Sequence, residues 1–111
     1  MVIHSANHKY IDSKYIPYDE TFDFKEVIIN ENVWIGGNVI IVPGAVVGEG
    51  CIIGAGTVVS GNIPPLSVVV GNPCKVIKQR DETHYLRLKE EHAIYLEMKT
   101  KLGIKPKISI E

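Results

Sequence analysis

The apolar positions between Val27 and Asn62 recur every six residues. Cut on that period, the segment reads VIINEN, VWIGGN, VIIVPG, AVVGEG, CIIGAG and TVVSGN. The third place is always a branched aliphatic (Ile29, Ile35, Ile41, Val47, Ile53, Val59). The first is small or branched (Val27, Val33, Val39, Ala45, Cys51, Thr57), and places four to six collect the turn residues Gly, Asn, Pro and Glu. A period of six suits no α-helix, and β-branched side chains dominate, so each unit is a short strand and a corner. Side chains alternate along a strand, which sends the first and third places to the same side. Short strands and sharp corners repeated in one register predict a parallel coil. Three units close one turn of a prism, with the first and third places filling its interior. Nine of the ten glycines lie between Gly36 and Gly71, where tight corners need positive φ or close backbone approach. A small β-sandwich or barrel is the alternative, but it leaves the unbroken register unexplained. Periodicity does not set the hand of the coil, because parallel crossovers are usually right-handed.

The second place of each unit should face outward, yet it holds Ile28, Trp34, Ile40, Val46, Ile52 and Val58. Soluble monomers avoid apolar stripes of this kind, and packing about a threefold axis would bury them. The pattern therefore predicts a homotrimer.

The flanks follow other rules. Residues 1–26 carry His4, His8, Tyr10, Tyr15, Pro17 and Tyr18 without a sustained period and read as a loop segment. Residues 27–80 form the β-helix, and 81–111 a C-terminal helix and tail. Residues 81–99 have helical composition, with Asp81 or Thr83 as cap and Tyr85, Leu88, His92 and Tyr95 as a packing stripe. Gly103 to Pro106 would end the helix.

Composition narrows the function. A chain of 111 residues allows one modest core. A formal net charge of -1 gives no electrostatic case for nucleic acid or an anionic membrane. Cys51 and Cys74 lack metal-ligand spacing and read as thiols in a reducing compartment. The opening Met1–His4 resembles no signal peptide, and Gly, Asn or Pro interrupts every apolar cluster. The prediction is a cytoplasmic protein without a membrane span.

The run NVWIGGNVIIVPGAVVGEGCIIGAGTVVSGNIPPLSVVVGNPCKVI, residues 32–77, closely resembles the hexapeptide-repeat O-acetyltransferases, the group of galactoside, maltose and xenobiotic acetyltransferases. The likeness spans roughly residues 3–80 and rests on NVWIG, PG, IGAG, Pro64-Pro65 and GNPCKVI. It implies an all-β fold, a left-handed parallel β-helix of hexapeptide repeats. It also implies acetyl-CoA as cosubstrate, a small-molecule hydroxyl acceptor, and a homotrimer with active sites between subunits. The acceptor would be a sugar, nucleotide-sugar or antibiotic-like molecule.

The family's catalytic histidine lies upstream of the NVWIG coil. Ala6-Asn7-His8 looks like the corresponding segment of the xenobiotic branch, which assigns the base to His8, with His4 as the rival. The chemistry is consistent, since imidazole titrates near neutrality and can take a proton from a hydroxyl as it attacks a thioester. A backbone carbonyl or a carboxylate would fix the ring's tautomer, with Asp19, Glu20 and Glu26 as candidates that the sequence does not rank. By resemblance, Gly37 and Ala55 match positions lining the pantetheine arm, and Trp34 flanks that groove or packs in the trimer. Ser60 matches a position near the adenosine, while Lys75 and Lys78, with Arg80 as a further candidate, match basic positions near the phosphates. The chain departs from the family's VVTKDIPP by reading VVSGNIPP, so Gly61 stands where a lysine is common.

Members of that family are longer, with several coils before the histidine. The sequence therefore predicts a β-helix that is short or truncated at its N-terminal end. The competing function is a truncated, non-catalytic β-helix serving as a structural or assembly subunit. A zinc hydratase on the same fold needs three histidines distributed across two subunits. Only His4 and His8 precede the coils and none lies within them, so no metal is predicted.

Overall fold

The computed structural model describes residues 1–109. The chain divides into two compact units, Met1–Arg80 and the segment from Asp81 onward. The first unit holds twelve strands: β1 (Val2–Ile3), β2 (Ala6–His8), β3 (Phe22–Phe24), β4 (Ile28–Ile29), β5 (Trp34–Ile35), β6 (Ile40–Ile41), β7 (Val46–Val47), β8 (Ile52–Ile53), β9 (Val58–Val59), β10 (Asn62–Ile63), β11 (Ser67–Val70) and β12 (Lys75–Gln79).

Ten of them form the three faces of a short left-handed parallel β-helix, ordered β1-β6-β9, β10-β7-β4 and β12-β11-β8-β5, with β12 added antiparallel to β11. One coil is β1, β4 and β5; the next is β6, β7 and β8; the third is β9, β10 and β11. The six-residue units between Ile28 and Val59 pair as predicted, eighteen residues apart: Ile28 with Val46, Trp34 with Ile52, Ile40 with Val58.

The inward places form the core. Val39, Ile41, Ala45, Val47, Cys51, Ile53, Val59, Ile63 and Val69 make one buried cluster. Each aliphatic so enclosed contributes about 1.5–3 kcal/mol through removal of apolar surface from water. Val27, Ile29, Val33 and Ile35 of the first coil are only partly buried against it.

The sixth place of each unit has one physical reason. Asn32, Asn38, Gly44, Gly50 and Gly56 all adopt positive φ, between 56° and 84°, and Gly and Asn are the residues that enter this region at least cost. After Val59 the corner shortens. Val46 pairs with Asn62, sixteen residues on, and Gly61 at φ 69° makes the tighter turn.

The loop expected over residues 1–26 is revised. Val2 and Ile3 pair in parallel with Ile40 and Ile41, so they are a face of the prism. The offset of 38 residues is one eighteen-residue coil plus a twenty-residue insertion. The insertion is the antiparallel hairpin β2-β3, with Ala6 opposite Phe24 and His8 opposite Phe22.

The second unit contains two helices in place of the one predicted: α1 (Glu82–Glu90) and α2 (Tyr95–Leu102). The Asp81 side chain accepts from the His84 amide and caps α1, as one of the two predicted caps would. His92 adopts φ 56° between the helices, so it breaks the predicted stripe and does not continue it.

Candidate functional site

The predicted residues fall on three parts of the prism. Gly37 and Ala55 occupy the fifth place of units one coil apart and stack at the same corner. There the Gly56 amide donates to the Gly37 carbonyl at 2.8 Å. Their approach depends on Gly36, whose added Cβ would lie 2.7 Å from the Ala55 nitrogen. Both Gly37 and Ala55 are exposed, so this corner offers bare backbone to a ligand.

Trp34 lies on the outer side of the adjoining face and is 68% exposed. It begins a cross-sheet row: Trp34 pairs with Ile52, Ile52 with Val68, and Val68 with Lys78. Three strand spacings separate the ends of that row, about 14 Å. A register shift in β12 then brings the two lysines together. Lys75 and Lys78 are three apart, which in a regular strand would send them to opposite sides. The irregularity opposite Val68 and Val69 pairs Lys78 with Val68 and Lys75 with Val70. Val69 between those partners is fully buried, so Val68 and Val70 face outward and both lysines lie on the outer face.

Ser60 sits at the shortened corner, where its carbonyl is 3.8 Å from the Cys74 sulfur. This places it beside the start of β12 and Lys75. Arg80 does not join the lysines as a free cation. Its guanidinium donates to the Gly50 carbonyl at 3.0 Å and its amide to that of Leu66 at 2.7 Å, which ties down the chain end of the prism. Gly61 is exposed, and nothing lies within 4 Å of where its Cβ would be.

His8 is exposed on the hairpin, which leaves the prism between β1 and β4. The Gly37–Ala55 corner lies between the faces of β5 and β6, so His8 and that corner occupy different edges of one chain. The His8 imidazole stacks on Tyr18, with ring centroids 3.7 Å apart and planes inclined by 12°, and touches Phe22 at 4.6 Å. The rival His4 is also exposed and continues the β1 face, its amide donating to Ile41.

None of the three carboxylates is seen to orient His8. Asp19 is buried, and its oxygens accept from the amides of Thr21 at 2.8 Å and Lys14 at 3.1 Å. Those hydrogen bonds, Thr21 first, hold its pKa below the ordinary 3.8. It is therefore a loop clasp. Tyr18 and Phe22 are the neighbours that sequence reasoning missed; the cue was aromatic density around residues 10–24, which had no period to read.

Among the described residues, no group of three or more His, Cys, Asp and Glu side chains could hold a metal ion. No described helix is long and apolar enough to cross a membrane.

The family described as bacterial transferase hexapeptide (six repeats) matches residues 26–61. Among solved structures, a maltose O-acetyltransferase from Clostridium difficile 630 is 47% identical over 72% of this chain and 42% of its own, with a TM-score of 0.63. A hexapeptide-repeat acetyltransferase of Vibrio cholerae O1 biovar eltor, complexed with acetyl coenzyme A, is 30% identical. That match covers 71% of this chain and 43% of the other, with a TM-score of 0.63. A variant N-acyltransferase from Bacillus cereus, in complex with dTDP and coenzyme A, is 26% identical over 82% of this chain and 51% of its own, with a TM-score of 0.66. The chain thus spans about half or less of the length of these relatives. No curated protein matches it.

Proposed function

Since the chain belongs to the hexapeptide-repeat acetyltransferase family, we propose that it is a CoA-dependent O-acetyltransferase with His8 as general base. The acceptor is the hydroxyl of a sugar, nucleotide-sugar or antibiotic-like molecule. The observation that carries this reading is the continuous outer surface from Trp34 and the Gly37–Ala55 corner to Lys78 and Lys75. It offers bare backbone to an extended thioester arm, an indole beside it, and two cations about 14 Å away for an anionic end. Ser60 lies by that cationic end, near the adenosine in this reading.

In the reaction, a nitrogen of the neutral His8 ring takes the acceptor's proton as its oxygen attacks the thioester carbonyl carbon. Amide groups at the corner stabilise the oxyanion. The carbon–sulfur bond then breaks, the thiolate takes the proton from the imidazolium, and an acetyl ester and free CoA leave.

Base and groove lie on different edges of one chain, so we infer that they meet between copies in a homotrimer. Ile28 at 41%, Trp34 at 68% and Ile40 at 39% exposure are apolar outer positions that such packing would cover. Because His8 and the Gly37–Ala55 corner do not meet within one chain, a second reading is a non-catalytic structural or assembly subunit.

The deciding experiment is acetyl-CoA turnover with sugar and antibiotic acceptors, comparing the chain with His8→Ala. The expected loss is at least about a hundredfold. Turnover unaffected by the substitution overturns the role of His8. A trimer that binds CoA but acetylates nothing supports the second reading.

A further inference from the structure

We propose that Tyr18 is a positioning residue for His8, holding the imidazole by its face so that both ring nitrogens stay open to reactants. This rests on the reading of His8 as the base.

A general base needs its ring plane fixed, and the usual device is a hydrogen bond from the second nitrogen to a carboxylate or carbonyl. Among the described residues His8 has no such hydrogen bond, and the nearby Asp19 carboxylate is committed to the amides of Thr21 and Lys14. What the ring has is a near-parallel neighbour. Tyr18 covers its face at 3.7 Å and 12°, and Phe22, its partner across the hairpin, adds a tilted contact at 4.6 Å. A near-parallel ring lying this close against the imidazole face blocks rotation of the imidazole out of its plane.

Tyr18 is itself held in place. The next residue, Asp19, donates its amide to the Lys9 carbonyl at 3.2 Å and receives two amides on its carboxylate. Lys9 in turn follows His8 and donates its own amide to Thr21 at 2.8 Å. The two residues flanking the stack are thus bonded to each other, which fixes one ring over the other.

The contact also changes during reaction. A neutral imidazole gains positive charge when it takes the acceptor's proton, and the face of a phenol ring attracts a cation. An interaction that strengthens towards the transition state raises kcat, with little effect on ground-state binding. Tyr18 should therefore act on kcat and not on the KM for acetyl-CoA.

The test uses Tyr18→Ala, Tyr18→Phe and His8→Ala in the full chain, with kcat and KM measured separately and the His8 ring protons followed by NMR. Tyr18→Ala should lower kcat about tenfold, leave the KM for acetyl-CoA unchanged, and shift the His8 ring protons downfield as the ring current is lost. Tyr18→Phe keeps the stack and should restore both kcat and the proton shifts. Wild-type kcat in Tyr18→Ala, with His8→Ala inactive, overturns the inference alone. Equal impairment of Tyr18→Phe and Tyr18→Ala overturns it as well, since the hydroxyl would then be responsible. Full turnover in His8→Ala defeats the underlying reading of the base and the inference with it.

Discussion

The amide of Lys25 donates to the carbonyl of Ser5 at 2.8 Å, so the chain leaves the prism and returns to it at one point. Between these residues runs the hairpin that carries His8. A closed neck of this kind lets a coil accept an insertion without losing its register, because loop closure costs grow only slowly with length.

Deleting residues 6–25 should therefore preserve the β-helix. The deletion joins Ser5 to Glu26 and leaves Met1 and Ile3 in the first and third places of a unit in phase with the next. Circular dichroism should retain its β signal, with a thermal transition close to that of the full chain, while turnover is lost with His8. An unfolded or aggregated product would show instead that the hairpin is part of the prism's stability.

Gly48 and Gly37 should respond oppositely to alanine. A Cβ on Gly48 would lie 2.5 Å from the Pro65 nitrogen and 2.7 Å from its Cα, both backbone atoms of the next coil. The coil spacing must shift, at a cost of about 1–3 kcal/mol in denaturant unfolding. A Cβ on Gly37 meets nothing within 4 Å, so Gly37→Ala should stay within about 0.5 kcal/mol of the parent. Its effect should appear in a raised KM for acetyl-CoA. A Gly37→Ala chain with unchanged KM would remove that corner from the binding groove.

Asp19→Asn should loosen the hairpin tip and spare the prism. An amide can accept from one of the Lys14 and Thr21 N–H groups, but it presents a donor to the other. Acid should act similarly. The carboxylate's pKa is lowered on folding, so its contribution is complete above the ordinary 3.8 and is lost as pH falls through the lower folded value. Hydrogen exchange at the Lys14 and Thr21 amides should accelerate in the variant, and in the parent only at pH below 3.8. Equal exchange in the two proteins at pH 7 would remove Asp19 as the clasp.

Gly61→Lys should trade stability for cofactor affinity. The position has φ 69° and open space around the missing Cβ, so a lysine meets no clash but costs about 1 kcal/mol in a left-handed conformation. Its ammonium would extend from the corner shared with Ser60. The KM for acetyl-CoA should fall at low ionic strength, and the gain should shrink as salt screens the exposed charge. A KM unmoved at both ionic strengths would place the cofactor's phosphates elsewhere.

The hexapeptide period revealed the strands, the inward places and the turn residues, because all three are local consequences of a six-residue repeat. The sixth-place Asn and Gly residues show this most clearly, since their positive φ follows from residue type and place alone. The β1 face of the first coil was not legible. Met1-Val2-Ile3 has the apolar form of a unit, but twenty inserted residues separate it from its phase, and only a register test across that gap could have found it.

The residues of the proposed site divide in the same way. Gly37, Ala55 and Trp34 could be placed from the sequence, because equal places in units one coil apart must stack. Two relationships were settled by tertiary structure alone. The irregularity in β12 put Lys75 and Lys78 on one face, reversing the alternation their spacing implies. The fold of the hairpin laid Tyr18 over His8, ten residues away with no periodicity to relate them. Repeats write their neighbours into the sequence, whereas a strand irregularity and a loop contact depend on which backbone each segment meets.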